Sequence, residues 1–112
     1  MHVEVRKKGE VVIVDLEGRL VGGVGDEILR EVTNELLAEN FKNILLNLEK
    51  VTSIDSAGVG ELVASHKICE RFGAELHLLN PHERVKKSLH VSAILPVFKV
   101  HDNEKSALDA FK

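Results

Sequence analysis

Residues 44–48 read Ile-Leu-Leu-Asn-Leu, a nearly continuous apolar run with the length of a strand. Such runs are typical of a central strand that is covered on both faces. After a short connection the chain reaches Asp55 and Ser56, and apolar side chains then recur at helical spacing as far as Gly73. A glycine at that point suits the C-terminal end of a helix. A strand that leads into a helix in this way indicates an α/β fold.

Upstream of this unit the pattern predicts a hairpin and one more helix. Residues 3–6 alternate apolar and polar side chains, Lys8-Gly9 marks a turn, and residues 11–16 form a more apolar second strand. A glycine-rich connection over residues 18–25 follows. Residues 28–37 then carry apolar side chains at helical spacing, with acidic residues near the start of the predicted helix.

Downstream, the sequence predicts two further strand–helix units. Residues 76–79 form an apolar strand. The tetrapeptide Asn80-Pro81-His82-Glu83 then supplies an N-cap, a proline at the first helical position and a capping-box glutamate. Residues 97–100 predict the last strand, and Asp102 is expected to cap a final helix.

The predicted order is therefore β-β-α-β-α-β-α-β-α, an α/β fold in a single domain over residues 1–112. Successive β-α units form right-handed crossovers, so we expect a β-α superhelix with a mainly parallel sheet and an antiparallel first strand at one edge. The chain has four Phe but neither Trp nor Tyr, which indicates an aliphatic core.

Composition and charge exclude several classes of protein. The chain is 29% charged with a formal net charge of −3, which argues against a nucleic-acid-binding surface. Its single cysteine, Cys69, allows no intrachain disulfide and no thiolate metal cluster. Apolar runs stay shorter than the roughly 18 residues that indicate a membrane span, and the first residues lack the apolar core of a signal peptide. We expect a cytoplasmic protein without membrane insertion, either monomeric or weakly dimeric through a strand edge at residues 3–6.

The loop Gly22-Gly23-Val24-Gly25 lies where dinucleotide-binding loops lie, between a strand and a helix. The GxGxxG pattern counted from Gly23, however, places Ile28 where a small residue is needed. Because no glycine precedes a Lys-Ser or Lys-Thr pair, there is no P-loop either. The glycines are therefore interpreted as turn residues, and no cofactor is expected.

A hydrolase site at Ser56 is disfavoured as well. A nucleophile elbow needs glycine two residues before the serine, and Ile54 occupies that position. His66 lies ten residues further along the same predicted helix, roughly 15 Å away, whereas a catalytic triad requires contact. The other histidines lack metal-binding spacing, so we expect neither an enzyme nor a metal site. From the residues alone, Ser56 or Asp55 caps the helix, or Ser56 presents an exposed hydroxyl beside Gly58.

Three segments resemble the STAS domain family, which is named for sulphate transporters and anti-sigma-factor antagonists. The stretch Val51-Thr52-Ser53-Ile54-Asp55-Ser56-Ala57-Gly58-Val59-Gly60 is similar to the family's hallmark. Leu16-Glu17-Gly18-Arg19-Leu20 is similar to its earlier signature, and Leu78-Leu79-Asn80-Pro81 to its later strand-to-helix turn. The resemblance covers essentially the whole chain in the right order. It implies the family's fold, with the helix after Asp55-Ser56 exposed for partner binding.

The resemblance also implies a function, that of a free-standing bacterial anti-sigma-factor antagonist. Ser56 corresponds to the family's phosphorylatable serine. The unphosphorylated family members bind an anti-sigma factor, which is also a serine kinase, and thereby release a sigma factor. Phosphorylation with ATP inactivates the antagonist, and a metal-dependent serine phosphatase restores it. The expected partner-binding residues are Asp55, Ser56, Ala57, Gly58, Val59 and Glu61, with Val21, Gly22 and Gly23 in the adjacent loop that continues to Gly25.

One departure from the family leaves an alternative open. Family members often carry an acidic residue where this chain has Val21. A STAS subunit of a lipid-transport complex, or of a signalling scaffold, would bind partners without phosphate turnover. The phosphorylation switch is nevertheless physically consistent. About −1.5 to −2 charges at a helix N-terminus suit the helix dipole, whereas a dianion trapped in an interface weakens the complex.

Overall fold

The computed structural model of the chain describes residues 1–92 and 95–111. Within them, strands and helices follow one another in the predicted order. The elements are β1 His2–Lys8, β2 Val11–Leu20, α1 Gly25–Ala38, β3 Asn43–Ile54, α2 Ser56–Arg71, β4 Glu75–Leu79, α3 Glu83–Val91, a 3₁₀ turn Leu95–Val97, β5 Val100–His101 and α4 Glu104–Asp109.

The strands form one mixed sheet in the order β1-β2-β3-β4-β5. β1 lies antiparallel to β2 at the sheet edge, with Val5 opposite Val14. The other neighbouring strands pair in parallel. The predicted α/β class, the mainly parallel sheet and the antiparallel first strand are thus confirmed.

Two apolar clusters hold helices against the sheet. On one face, buried residues of α1, α2 and α3 pack with alternate residues of the strands, among them Leu29, Leu62, Leu89 and Leu46. On the other face, Ala107 of α4 packs on a smaller cluster. The large side chains that are fully buried are all Leu or Ile, as the composition predicted. Burying each such side chain contributes roughly 1.5–3 kcal/mol.

The second and third strands are longer than predicted. β2 continues through Gly18 to Leu20, and β3 continues to Ile54, so the glycine-rich connection starts only at Val21. The parallel register shifts twice, once beyond Asp15 and again beyond Gly18, and these irregularities let the strands keep pairing through polar residues. As a result Leu20 and Ile54 are paired at the ends of their strands. The loops that follow them therefore begin side by side.

The third helix starts later than predicted. Its first residue is Glu83, and the Nδ1 atom of His82 accepts a hydrogen bond from the Arg84 amide at 3.4 Å. Asn80 is not the cap, because it has a left-handed φ of 50° and its amide donates to the His101 carbonyl at 2.8 Å. The capping-box interpretation of residues 80–83 was wrong, since Asn80 directly follows β4 and hydrogen-bonds to β5 while His82 caps the helix.

The last strand and the last helix also differ from the prediction. Val97 closes a 3₁₀ turn, and β5 contains only Val100 and His101, which pair with the end of β4. The cap of α4 is Asn103, not Asp102. The Asn103 backbone is extended, and its side-chain oxygen accepts the Ser106 amide at 2.9 Å.

A pair of histidines lies beneath the C-terminal end of the described chain. His77 is 2% exposed, and its ring stacks on Phe111 with the centroids 3.9 Å apart. Its Nδ1 atom lies 3.1 Å from Nε2 of His101, and its Nε2 atom lies 3.1 Å from a Glu75 carboxylate oxygen. His77 was expected to be an ordinary strand residue, but it joins β4, β5 and the end of the chain.

Candidate functional site

The candidate site lies where β2 and β3 end together. The Asp55 amide donates to the Leu20 carbonyl at 3.4 Å, which ties the start of α2 to the end of β2. Gly58, in the first turn of α2, is buried against the same carbonyl, and a β-carbon at this position would overlap the Leu20 oxygen. Glycine at position 58 therefore allows the helix to begin directly on the sheet.

The Asp55 carboxylate connects the two loops of the site. As the N-cap of α2 it accepts the Gly58 amide at 2.9 Å. It also accepts the Gly22 amide, at 3.0 Å to Oδ2 and 3.2 Å to Oδ1. The Gly58 and Gly22 amides hold the pKa of Asp55 below its usual value, so this side chain is a carboxylate at neutral pH.

The adjacent loop, Val21 to Gly25, is a tight turn. The amides of Val24 and Gly25 donate to the Val21 carbonyl at 3.1 and 3.0 Å. Gly23 has a left-handed φ of 78°, and its amide donates to the Asp26 carboxylate at 2.9 Å. The glycines thus serve the turn, as the sequence indicated.

Ser56 is exposed at the first position of α2. Within the described part of the chain its hydroxyl has no hydrogen-bond partner. Around it, Ala57 is exposed and Val59 is half-buried, while Val24 of the adjacent loop is 43% exposed. A serine in this setting is open to a modifying enzyme, and its surroundings offer a docked protein a partly apolar surface.

The structure brings most of the expected partner-binding residues together at this edge. Gly22 and Gly23 are exposed beside the start of α2, and Val21 is half-buried between them and the sheet. A β-carbon on Gly22 would lie 3.1 Å from Cβ of Ala57. The loop and the helix therefore form one continuous surface, which we call the switch face: residues 21–24 together with Asp55, Ser56, Ala57 and Val59.

Glu61 is not part of the switch face, contrary to expectation. Its side chain is 6% exposed, and Oε1 lies 3.0 Å from Nε and 2.9 Å from Nη2 of Arg30. Ser65 donates to its other oxygen at 3.3 Å. Glu61 therefore ties α2 to α1. Sequence reasoning missed this role because the partner, Arg30, lies thirty-one residues away on another helix.

The other residues weighed as catalytic or metal-binding lie in structural settings. His66 packs edge-on against Phe98, with the ring centroids 5.2 Å apart. Cys69 is fully buried, and burial raises the pKa of its thiol to about 11. Among the described residues no group of three or more His, Cys, Asp or Glu side chains could hold a metal ion. Nor does any helix in the described ranges have the length and apolar character needed to cross a membrane.

Comparison with known proteins yields consistent matches. A family model described as the STAS domain matches residues 2–107. The anti-sigma F factor antagonist of Paenibacillus polymyxa is 24% identical over 108 residues, which cover 96% of this chain and 92% of that protein.

Solved structures show the same fold. The crystal structure of the Thermotoga maritima protein tm1081 is 25% identical, has a TM-score of 0.88, and covers 96% of this chain and 92% of that one. The anti-sigma factor antagonist SpoIIAA in its unphosphorylated form is 23% identical with a TM-score of 0.81, covering 98% of this chain and 96% of that one.

Proposed function

This chain belongs to the STAS domain family, and we propose that it is an anti-sigma-factor antagonist switched by phosphorylation of Ser56. The unmodified protein binds an anti-sigma factor through the switch face and thereby frees a sigma factor in the cytoplasm. The anti-sigma factor is also a serine kinase, which transfers the γ-phosphoryl group of ATP to Oγ of Ser56. A serine phosphatase reverses the modification, and the chain itself acts as a regulator without catalysing a reaction.

The observation that carries the proposal is the exposed Ser56 hydroxyl in the first turn of α2, without a hydrogen bond to the rest of the described chain. A kinase can reach such a hydroxyl without unfolding the substrate. Ser53, three residues earlier in β3, offers a contrast. Its Oγ atom is buried, although it too lacks a hydrogen-bond partner among the described residues.

Charge explains why phosphorylation would release the partner. Asp55 already places a carboxylate on the switch face, and Asp26 and Glu27 lie in the first turn of the adjacent helix. A phosphate would add about −1.5 to −2 charges to this edge. An interface that encloses this charge without a counter-charge must desolvate it. A penalty of about 3–4 kcal/mol would lower the affinity several hundred-fold.

A kinase assay tests the site of modification. The purified chain is incubated with ATP and a kinase-type anti-sigma factor from the same organism, and mass spectrometry locates the phosphate. We expect one phosphate on Ser56, none on Ser56→Ala, and wild-type incorporation on Ser53→Ala. Phosphate on Ser56→Ala, or no phosphate on the wild type, would overturn the proposal.

Binding measurements test the consequence of the modification. Ser56→Ala should bind the anti-sigma factor as the wild type does, and Ser56→Glu should bind it poorly. Equal affinities of the two variants would instead point to a scaffold or transporter subunit that binds without phosphate turnover.

A further inference from the structure

We propose that Asp55 is a positioning residue that denies a phosphate on Ser56 the backbone amides of the switch face, so that the phosphate stays exposed to solvent and to the docking partner. This inference rests on the proposed function, because it concerns the same serine. It describes where the phosphate group lies and which groups it contacts after Ser56 has been phosphorylated.

Backbone amides at a helix N-terminus normally attract an anion, and phosphate groups are frequent ligands there. A phosphate on the first helical residue would therefore be expected to fold back onto the amides of the first turn. Bound in this way it would be partly neutralised and held against its own protein. It would then repel a partner less and be less accessible to a phosphatase.

In this chain, carboxylates of the protein already occupy three amides around the start of α2, those of Gly58, Gly22 and Gly23. Gly58 donates to the Asp55 carboxylate at 2.9 Å and Gly22 donates to it at 3.0 Å. Gly23 donates to the Asp26 carboxylate at 2.9 Å. Three amides that could have formed an anion-binding nest are thus already bound to carboxylates of the chain itself.

The Asp55 carboxylate is not easily displaced from its hydrogen bonds with these amides. The same hydrogen bonds lower the pKa of its carboxyl, so it remains ionised throughout the neutral range. Displacing it would break the hydrogen bonds through which the Asp55 carboxylate joins Gly22 of the loop to Gly58 of α2. A phosphate on the neighbouring residue is also repelled by the Asp55 charge. The phosphate is therefore directed outward.

Among the other charged groups on the packed elements, Arg19 near the end of β2 is exposed, and those on α1 near the loop are acidic. On α1, Asp26 and Glu27 add negative charge near the loop. The cation of Arg30 is engaged by Glu61, with Nη2 2.9 Å from Oε1. The charged side chains that accept hydrogen bonds from the amides at this edge are thus carboxylates of the chain itself.

The experiment measures the second pKa of phosphoserine by ³¹P NMR titration. Phosphoserine is placed at position 56 during translation, so no kinase is needed, and the full chain is compared with its Asp55→Ala and Asp55→Asn variants. In the wild type we expect a value at or above the value of about 6 for free phosphoserine. In Asp55→Ala the phosphate gains the amides, and its second pKa should fall by about 1.

Asp55→Asn separates the two effects of Asp55. Asparagine is also a good N-cap, so it still occupies the amides but lacks the charge. We expect its value to lie between those of the wild type and Asp55→Ala. Equal values in the wild type and Asp55→Ala, or in the two variants, would overturn the inference. Asp102→Ala, which removes an exposed carboxylate just after β5, should titrate like the wild type.

Failure of the proposed function can be distinguished from failure of the inference about Asp55. If the kinase ignores Ser56 while the titrations follow the expected order, the proposed function is wrong and the role of Asp55 remains. If the kinase phosphorylates Ser56 and the titrations coincide, the function remains and this inference is wrong.

Discussion

Gly58 of α2 lies so close to Leu20 of β2 that a β-carbon at position 58 would overlap the Leu20 carbonyl oxygen. The start of α2 therefore rests directly on the end of the neighbouring strand. Because Asp55 also binds the loop that follows β2, the position of Ser56 depends on the contact between these two elements.

The first prediction concerns that contact. Gly58→Ala should destabilise the protein by about 1–3 kcal/mol, the usual cost of overpacking, and should weaken partner binding by displacing α2. Gly60→Ala is the matched control. It lies two residues further along the same helix, and its added methyl group would meet no described atom within 4 Å outside its own helix backbone and chain neighbours. It should stabilise the helix by roughly 0.5–1 kcal/mol. Urea unfolding measures both, and an unchanged midpoint for Gly58→Ala would contradict the packing described.

The second prediction concerns Glu61. Glu61→Ala should lower the free energy of unfolding, because Arg30 and Ser65 lose their acceptor. An Arg30→Ala/Glu61→Ala double variant should lose less than the sum of the single variants, since the two side chains interact directly. If the losses of unfolding free energy in the two single variants add up to that of the double variant, the ion pair does not contribute to stability.

The third prediction is that a charge on the switch face weakens partner binding but leaves the stability of the fold unchanged. Val24→Asp changes an exposed side chain, 43% accessible, and should leave the unfolding free energy within about 0.5 kcal/mol of the wild type. It should nevertheless weaken binding of the anti-sigma factor, because it introduces a charge into the proposed interface. Calorimetric titration measures the affinity. Binding unaffected by Val24→Asp would remove residues 21–24 from the interface.

The fourth prediction concerns pH. Burial lowers the pKa of His77, although the Glu75 carboxylate acts in the opposite direction, and burial also lowers the pKa of His101. The unfolded chain therefore binds protons at a higher pH than the folded chain. Stability should be fully present above about pH 6.5 and should fall as the pH decreases below it.

The variant His77→Phe isolates this effect. It removes one titrating group and keeps an aromatic ring against Phe111. The pH dependence of its unfolding free energy between about pH 6.5 and 5 should be flatter than that of the wild type. Identical slopes would assign the dependence to other groups, of which the neighbouring His101 is one.

The last stability prediction tests the cap of α4. Asn103→Ala should cost about 1 kcal/mol, because the Ser106 amide loses its acceptor. Asp102→Ala should have little effect, since Asp102 accepts an exposed hydrogen bond from its neighbour, Asn103, and does not cap the helix. Melting temperatures compare the two variants. A larger fall in melting temperature for Asp102→Ala than for Asn103→Ala would indicate that Asp102 is the cap.

The order of strands and helices along the chain could be predicted because each element depends on local apolar periodicity. The full lengths of β2 and β3 could not, because pairing beyond Asp15 and again beyond Gly18 depends on register shifts between two strands distant in sequence. The start of α3 was misplaced for a related reason. Asparagine often caps helices, but the backbone amide of Asn80 donates a hydrogen bond to the His101 carbonyl of β5.

The candidate site was predictable to a similar degree. The position of Ser56 at a helix start follows from the sequence, and the structure exposes it. The burial of Glu61 does not follow, because it requires knowledge of how α1 packs on α2. The hydrogen bond from the Gly22 amide to the Asp55 carboxylate could not be predicted either, because it joins residues thirty-three positions apart.

The central claim is that a phosphate on Ser56 releases the partner while the fold persists. Titration of the anti-sigma factor against the unmodified chain, and against the chain carrying phosphoserine at position 56, measures this directly. We expect affinity to fall several hundred-fold, corresponding to about 3–4 kcal/mol, with an unchanged unfolding midpoint. Equal affinities of the two forms would contradict the claim.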